Sequence, residues 1–386
     1  MLGTQSSIAN YFDYAAATPV DDRVLAVMQP YYSEQFYNPS ATYAAARSVQ
    51  ARLDAARTDI AHWLGARPSE IIFTAGGTEA NNVAIHGVMR RFPEANVVVS
   101  SIEHSAVLAP AETYLSKFAP VNQQGIVDVA ALTDLIDEQT VLVSIMYANN
   151  EIGTVQPIRE IGRLIAGIRK NRLRAGNKLP IYLHTDACQA ANYLDLHAAR
   201  LGVDLMTLNG GKIYGPKQSG IIFVRGGTIL TPLIVGGGQE RNLRSGTENI
   251  AQAIGFAKAL DIAQTMRSDE TKRLQALQHY FFAAIEAQLP TAVVNGNRRL
   301  RLPNNVHITI AGCDNERLLI QLDAAGIMAA AGSACSASDE AASHVLAALG
   351  LSEADSRASL RFSMGRATDQ AAIDHLVTQL AAIVAD

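Results

Sequence analysis

Three short segments carry side chains whose types and spacing suit chemistry. The first, IIFTAGGTEANNVAI over residues 71–85, sets an apolar strand before two glycines, a threonine and a helix with Glu79 in its first turn. Backbone amides at such a helix start, beside Gly77 and the Thr78 hydroxyl, can hold a phosphate, because unpaired N–H groups and the helix dipole both favour an anion. The same pattern also serves as an ordinary αβ connection, and it is not the GxGxxG dinucleotide motif. The second segment, HTDACQA, puts Asp186 and Gln189 just past another strand. A carboxylate there can pair with a protonated ring nitrogen, and the glutamine can reach a ring oxygen; Asp186 reads equally as a helix cap. The third, TLNGGKIYGPKQSG over residues 207–220, presents the Lys212 amine in a glycine-rich turn. An amine that loses its proton forms a Schiff base with a carbonyl. Lys212 is one of only seven lysines among 32 basic residues, so the candidates for covalent lysine chemistry are few; Lys217, five residues on, is expected to be solvated.

The elements that must position these residues follow from pattern. Val/Ile-rich runs at 71–74, 97–100, 141–146, 181–185, 205–208 and 221–224 read as strands. Amphipathic stretches at 78–90, 105–118, 129–138 and 158–170 read as helices between them, which is the form of a mixed or mostly parallel sheet clothed by helices. Ahead of it, residues 41–64 form a helical pattern with Leu53, Ala56, Ile60, Trp63 and Leu64 as an apolar stripe. Beyond residue 250 a nearly continuous helix to 288 precedes strands at 306–310 and 359–363 and helices at 316–323, 343–349 and 369–385. That composition fits a smaller α+β domain. The expected division is a large domain over 15–258 and a small one built from 1–14 and 259–386.

Bulk properties narrow the class. At about 150 residues per domain, 386 residues suggest roughly two to three domains. An apolar fraction of 48 % with 32 basic against 36 acidic residues argues against disorder and against a nucleic-acid footprint. The longest uncharged stretches, such as 324–338, run to about 15 residues, short of the roughly 20 that a bilayer span needs. The three cysteines, Cys188, Cys313 and Cys335, form no CxxC pair and no zinc spacing, and the amino terminus has no basic region followed by an apolar one. A reduced cytoplasmic setting without structural metal is expected.

Taken in order, YFDYAAATPV from Tyr11, GGTEANN, SSIEHSAVL, YANNEIGTVQP, KIYGPK, GGGQERNLRSGT, GSACSAS and RFSMGRATD from Arg361 resemble the cysteine desulfurase family of the class V aminotransferase fold group, over nearly the whole chain. The resemblance implies a fold type I pyridoxal-phosphate-dependent transferase: a large, mostly parallel seven-stranded sheet domain and a smaller α+β domain. It implies pyridoxal 5'-phosphate as cofactor, with Lys212 as the covalent lysine and Asp186 on the pyridine nitrogen. His104 matches the histidine that stacks on the ring and moves protons, while Gln189 and Asn150 match side chains near the ring hydroxyl and the substrate. Gly77, Thr78 and Asn209 fall at the phosphate end. Arg361 matches the clamp for the substrate carboxylate, with Asn38 assisting, and planar bidentate geometry suits that task.

By the same resemblance, Cys335 in GSACS is the nucleophile that takes sulfur from L-cysteine, leaving L-alanine and an enzyme persulfide; a thiolate suits this step. Residues 329–338 are all Ala, Gly, Ser or Cys, so the segment packs weakly. The sulfur would pass to an acceptor protein or iron–sulfur scaffold. Thr247, in the segment 236–247, would touch the phosphate held by the other chain of a homodimer. Cys188 reads as core packing beside the site. One departure stands out: where the family commonly has Ser-Gly-His-Lys, this chain has Asn209, Gly210, Gly211 and Lys212. Losing a hydrogen bond to a charged group costs roughly 1.5–3 kcal/mol, about ten- to a hundredfold in affinity, so weaker cofactor holding is expected. Alternatives on the same fold are a selenocysteine lyase, another pyridoxal-phosphate lyase or aminotransferase, or a non-catalytic dimeric scaffold; product analysis separates the enzymes.

Overall fold

Short apolar runs in the first two thirds of the chain assemble into one seven-stranded sheet. The computed structural model describes residues 8–332 and 343–385. The strands are β1 (Ile71–Thr74), β2 (Asn96–Ser100), β3 (Leu115–Ala119), β4 (Thr140–Ser144), β5 (Tyr182–Asp186), β6 (Leu205–Asn209) and β7 (Gly220–Val224). Their spatial order is β1-β7-β6-β5-β4-β2-β3. The pairs from β3 through β6 are parallel, and β7 runs antiparallel to both its neighbours.

The central strands are buried on both faces, which explains their continuous apolar runs. Along β2, Val98 enters a core with Val143, Leu183 and Met206, while Val97 and Val99 enter the opposite one with Leu142 and Leu205. Successive side chains of a strand point to opposite faces, so a single apolar run serves two cores. The helix Gly77–Met89 covers the second face and Ile158–Arg174 the first.

One strand of this sheet is absent from the sequence reading. Residues 105–118 read as a helix, whereas the helix ends at Glu112 and β3 begins at Leu115. β3 lies at the sheet edge and pairs only with β2, and Leu115 and Phe118 are exposed. An edge strand needs no continuous apolar run, so its pattern mimics an amphipathic helix.

A second sheet of order β10-β9-β8 is antiparallel throughout. It comprises β8 (Ala292–Val294), β9 (Asn305–Ile310) and β10 (Ser359–Ser363). β8 has only three residues and leaves no periodic signal. The amino-terminal segment joins this sheet through a bridge from Asp13 to Ser363, and Tyr11 bridges to Met328 beside it. The 39-residue helix Ile250–Gln288 belongs to both cores. Phe256 and Leu260 pack with the large sheet, and Leu274, Phe281 and Ile285 with the small one. Among the described residues, no helix is long and apolar enough to cross a membrane.

Candidate active site

The carboxyl ends of β5 and β6 face the amino end of the helix Gly77–Met89 across one pocket. Strand carboxyl ends are where open α/β sheets bind ligands. Gly77, Thr78, Asn81, His104, Asn150, Asp186, Cys188, Gln189, Asn209, Lys212 and Arg361 all line it.

Asp186 is the last residue of β5 and is 8 % exposed. Its Oδ2 accepts from Asn81 Nδ2 at 2.6 Å, and its Oδ1 accepts from the Cys188 backbone N–H at 2.9 Å. No helix follows Asp186, so it caps none: one oxygen secures the following turn at Cys188 while the carboxylate faces the cavity. Burial, followed by the nearby Asp186 charge, pushes the Cys188 thiol well up, so Cys188 is held as a neutral thiol. Gly77 is matched to it: a Cβ at position 77 would lie 2.9 Å from Cys188 Sγ.

Lys212 closes the 3₁₀ turn Gly210–Lys212 immediately after β6. Its amine is not simply exposed. Nζ donates to the carbonyls of Ala15 at 2.9 Å and Ala16 at 2.5 Å, and Gln189 Nε2 donates to the same Ala15 oxygen at 2.9 Å. Lys217 likewise donates to Thr18 O at 2.5 Å. The small residues of YFDYAAATPV thus let backbone carbonyls approach both lysines closely. Asn192 Nδ2 holds the Lys212 carbonyl at 2.7 Å. Gly210 has no room for a side chain, since a Cβ would fall 2.1 Å from Ser219 Oγ. Gly211 differs: its nearest contact would be Asn209 Oδ1 at 3.4 Å, an ordinary van der Waals distance.

His104 is the N-cap of the helix Ser105–Glu112, with Nδ1 accepting from the Ala106 N–H at 3.0 Å. Burial, opposed by the charge of Asp186, lowers its pKa, which favours the neutral ring. With Nδ1 as acceptor, that ring carries its proton on Nε2. Beside it Glu103 is fully buried, its Oε1 accepting from Ser100 Oγ and the Met146 N–H, both at 2.6 Å. Burial pushes its carboxyl up to about 8.

Arg361 reaches the pocket from β10 in the small sheet and is 1 % exposed. Nη2 donates to Asp13 Oδ1 at 2.6 Å and Nη1 to Asn150 O at 3.1 Å. Two expected site residues lie elsewhere in this single chain. Asn38 is exposed, with its Oδ1 accepting from the Ser40 N–H. Thr247 lines a separate cavity with Phe73, Arg244 and Gln252. Cys335 lies outside the described residues. Sequence reasoning missed Asn81, Asp13, Glu103 and Asn192. Only Asn81 had a local signal: it stands four residues after Gly77, on the same helix face.

The architecture and this pocket at its strand ends are those of a fold type I pyridoxal-phosphate-dependent transferase. Residues 10–376 match the family model described as Aminotransferase class-V. The chain is 38 % identical over 382 residues to cysteine desulfurase IscS of Dictyoglomus turgidum, covering 97 % of this chain and 94 % of that one. It is equally 38 % identical to cysteine desulfurase IscS 1 of Archaeoglobus fulgidus, covering 97 % and 96 %. Among solved structures, a NifS-like protein superposes with a TM-score of 0.87 at 31 % identity, covering 97 % of this chain and 99 % of that one. A structure described as SspA in complex with cysteine does so with 0.77 at 34 %, covering 92 % and 98 %. The chain belongs to the class-V aminotransferase family, in its NifS-like cysteine desulfurase group.

Proposed function

We propose that the protein is a pyridoxal-phosphate-dependent cysteine desulfurase that converts L-cysteine to L-alanine and carries the released sulfur on Cys335. The supporting observation is one pocket that joins an amine, a buried carboxylate, a helix amino end and a guanidinium contributed by two different sheets. The residues present suit the cofactor. Asn81 Oδ1 is a buried acceptor without a donor among the described residues, and a helix of 13 residues opens on the pocket at Gly77 and Thr78. Lys212 would hold the cofactor covalently and Asp186 its ring nitrogen. Gly77, Thr78 and Asn209, with Thr247 of the second copy in a homodimer, would hold the phosphate. When bound, pyridoxal phosphate acts as an electron sink for the substrate's carbon skeleton.

The chain's own groups do the rest. Arg361 binds the substrate carboxylate, Asn150 assists, and Gln189 lies near the ring hydroxyl; Asn38, exposed and away from this pocket, has no part in this reading. His104 holds a proton on Nε2 at the pocket wall. The Cys335 thiolate attacks the substrate sulfur; an S–S bond forms, the substrate Cβ–S bond breaks, and the carbon takes a proton to give L-alanine. The persulfide then passes its outer sulfur to an acceptor such as an iron–sulfur scaffold protein. The roots of the segment that carries Cys335 support this assignment. Ala330 is backbone-paired with Arg361, and Ser343 Oγ donates to Glu151 Oε2 at 2.6 Å, one residue from Asn150.

The test is incubation of the cofactor-loaded protein with L-cysteine, comparing wild type with Cys335→Ala. Alanine and sulfide formation that depends on Cys335 is expected. Equal formation by both proteins would remove Cys335 as the nucleophile, and a keto acid with an aminated acceptor would show transamination instead.

A further inference from the structure

The buried amide of Asn81 has no part in the chemistry described so far. It is 1 % exposed, lines the pocket and donates from Nδ2 to Asp186 Oδ2 at 2.6 Å. A carboxylate oxygen accepts only, so this contact decides which end of the amide is nitrogen. Asn81 Oδ1 is then placed by exclusion, and it meets no donor among the described residues. A buried polar atom without a partner is costly unless something else supplies one. We propose that Asn81 is a positioning residue that fixes the Asp186 carboxylate for a protonated ring nitrogen, and that its own carbonyl faces the same ligand edge or a water held there. This rests on the assignment of Asp186 to the ring nitrogen made above.

The geometry carries the inference in two ways. The two oxygens of Asp186 are held from opposite sides, Oδ2 by Asn81 and Oδ1 by the Cys188 N–H, and the Cys188 thiol also hydrogen-bonds the carboxylate. The carboxylate is therefore locked against rotation, with further lone pairs left to accept from a ligand, since two carboxylate oxygens offer about four acceptor sites. In addition, Asn81 lies one turn beyond Gly77 on the helix Gly77–Met89. One turn rises about 5.4 Å, so a single rigid helix presents amides to the phosphate end and an amide side chain to the opposite end of the same small ring. A ligand seated on this helix is measured at both ends by one element. Deleting Asn81 leaves Asp186 held on its Cys188 side alone, with Oδ2 no longer fixed toward the ligand.

The test sets pyridoxal phosphate in competition with its analogue that has CH in place of the ring nitrogen, for binding to the full-length protein. The readout is the ratio of the two bound species at equilibrium. Wild type should favour pyridoxal phosphate, and Asp186→Ala should remove the preference. Asn81→Ala, and the closer-volume Asn81→Leu, should lower it about tenfold, the scale of one hydrogen bond to a charged group. A merely structural role for Asn81 would weaken both ligands alike and leave the ratio unchanged, which would overturn the proposal. If instead Asp186→Ala keeps the wild-type ratio, the ring-nitrogen assignment itself fails and Asn81 loses its role with it.

Discussion

Arg361 Nη2 donates to Asp13 Oδ1 at 2.6 Å, joining β10 to the amino-terminal segment across 348 positions. The arginine side chain is 2 % exposed and the aspartate 19 %. Removing one partner of a buried pair leaves an uncompensated charge, which costs about 3–5 kcal/mol in the fully buried case. Asp13→Ala should therefore lower stability, by roughly 2–4 kcal/mol given the partial exposure of Asp13. If Arg361 receives substrate carboxylates, L-alanine should stabilise this variant more than wild type in thermal unfolding, because a new anion replaces the lost one. Equal stabilisation of both proteins would take the carboxylate away from Arg361.

Gly211 stands where a side chain fits, since a Cβ there meets nothing closer than 3.4 Å. Gly211→His should raise cofactor affinity about ten- to a hundredfold by adding a donor near the phosphate end. A cofactor titration that finds the affinity unchanged would show that the natural glycine costs nothing in binding.

Glu103 is fully buried with its carboxyl pushed up to about 8, chiefly by burial. The unfolded chain ionises this group near the ordinary carboxylate value, so the folded state binds the extra proton between the two. Stability from this group is thus complete at low pH and is lost as pH rises through about 8. Glu103→Gln keeps an acceptor for Ser100 and Met146 and removes the ionisation. It should match wild type near pH 5 and exceed it at pH 9 by on the order of 3 kcal/mol in urea unfolding. A pH-independent difference would contradict the protonated state.

The pair Arg57–Glu240 fastens the loop ahead of Thr247. Arg57 donates to both oxygens of Glu240 at 2.8 and 2.7 Å, and the Phe73 N–H donates to Glu240 Oε2 at 2.9 Å. Glu240, Arg241 and Asn242 all adopt positive φ, a conformation that persists in non-glycine residues only where the surroundings impose it. Glu240→Ala should cost about 3–5 kcal/mol and loosen 236–247, read as faster backbone hydrogen exchange there. Protection equal to wild type would show that the loop holds itself.

The pocket-lining residues at the strand ends of the large sheet were legible because their signals are local. Asp186 ends a buried strand and Lys212 stands three residues past another, and a run of apolar residues ending in a polar one marks a strand end without any knowledge of the fold. The long helix and the strands of both cores show for the same reason, since periodicity within a dozen residues reflects which faces are buried. β3 and β8 escaped because an edge strand and a three-residue strand bury too little to leave a pattern.

Which of these residues meet depends on long-range packing. Asn81 and Asp186 are 105 positions apart and Asp13 and Arg361 are 348. No periodicity reports such a contact, because it arises from how separate elements pack. The same holds for Lys212: its amine lies against the Ala15 and Ala16 carbonyls because two distant turns close on each other. Local patterns were enough to read the chemical groups and most of the elements that present them. Packing of the two sheets through the helix Ile250–Gln288 brought those groups to one cavity and set the partner of each buried charge.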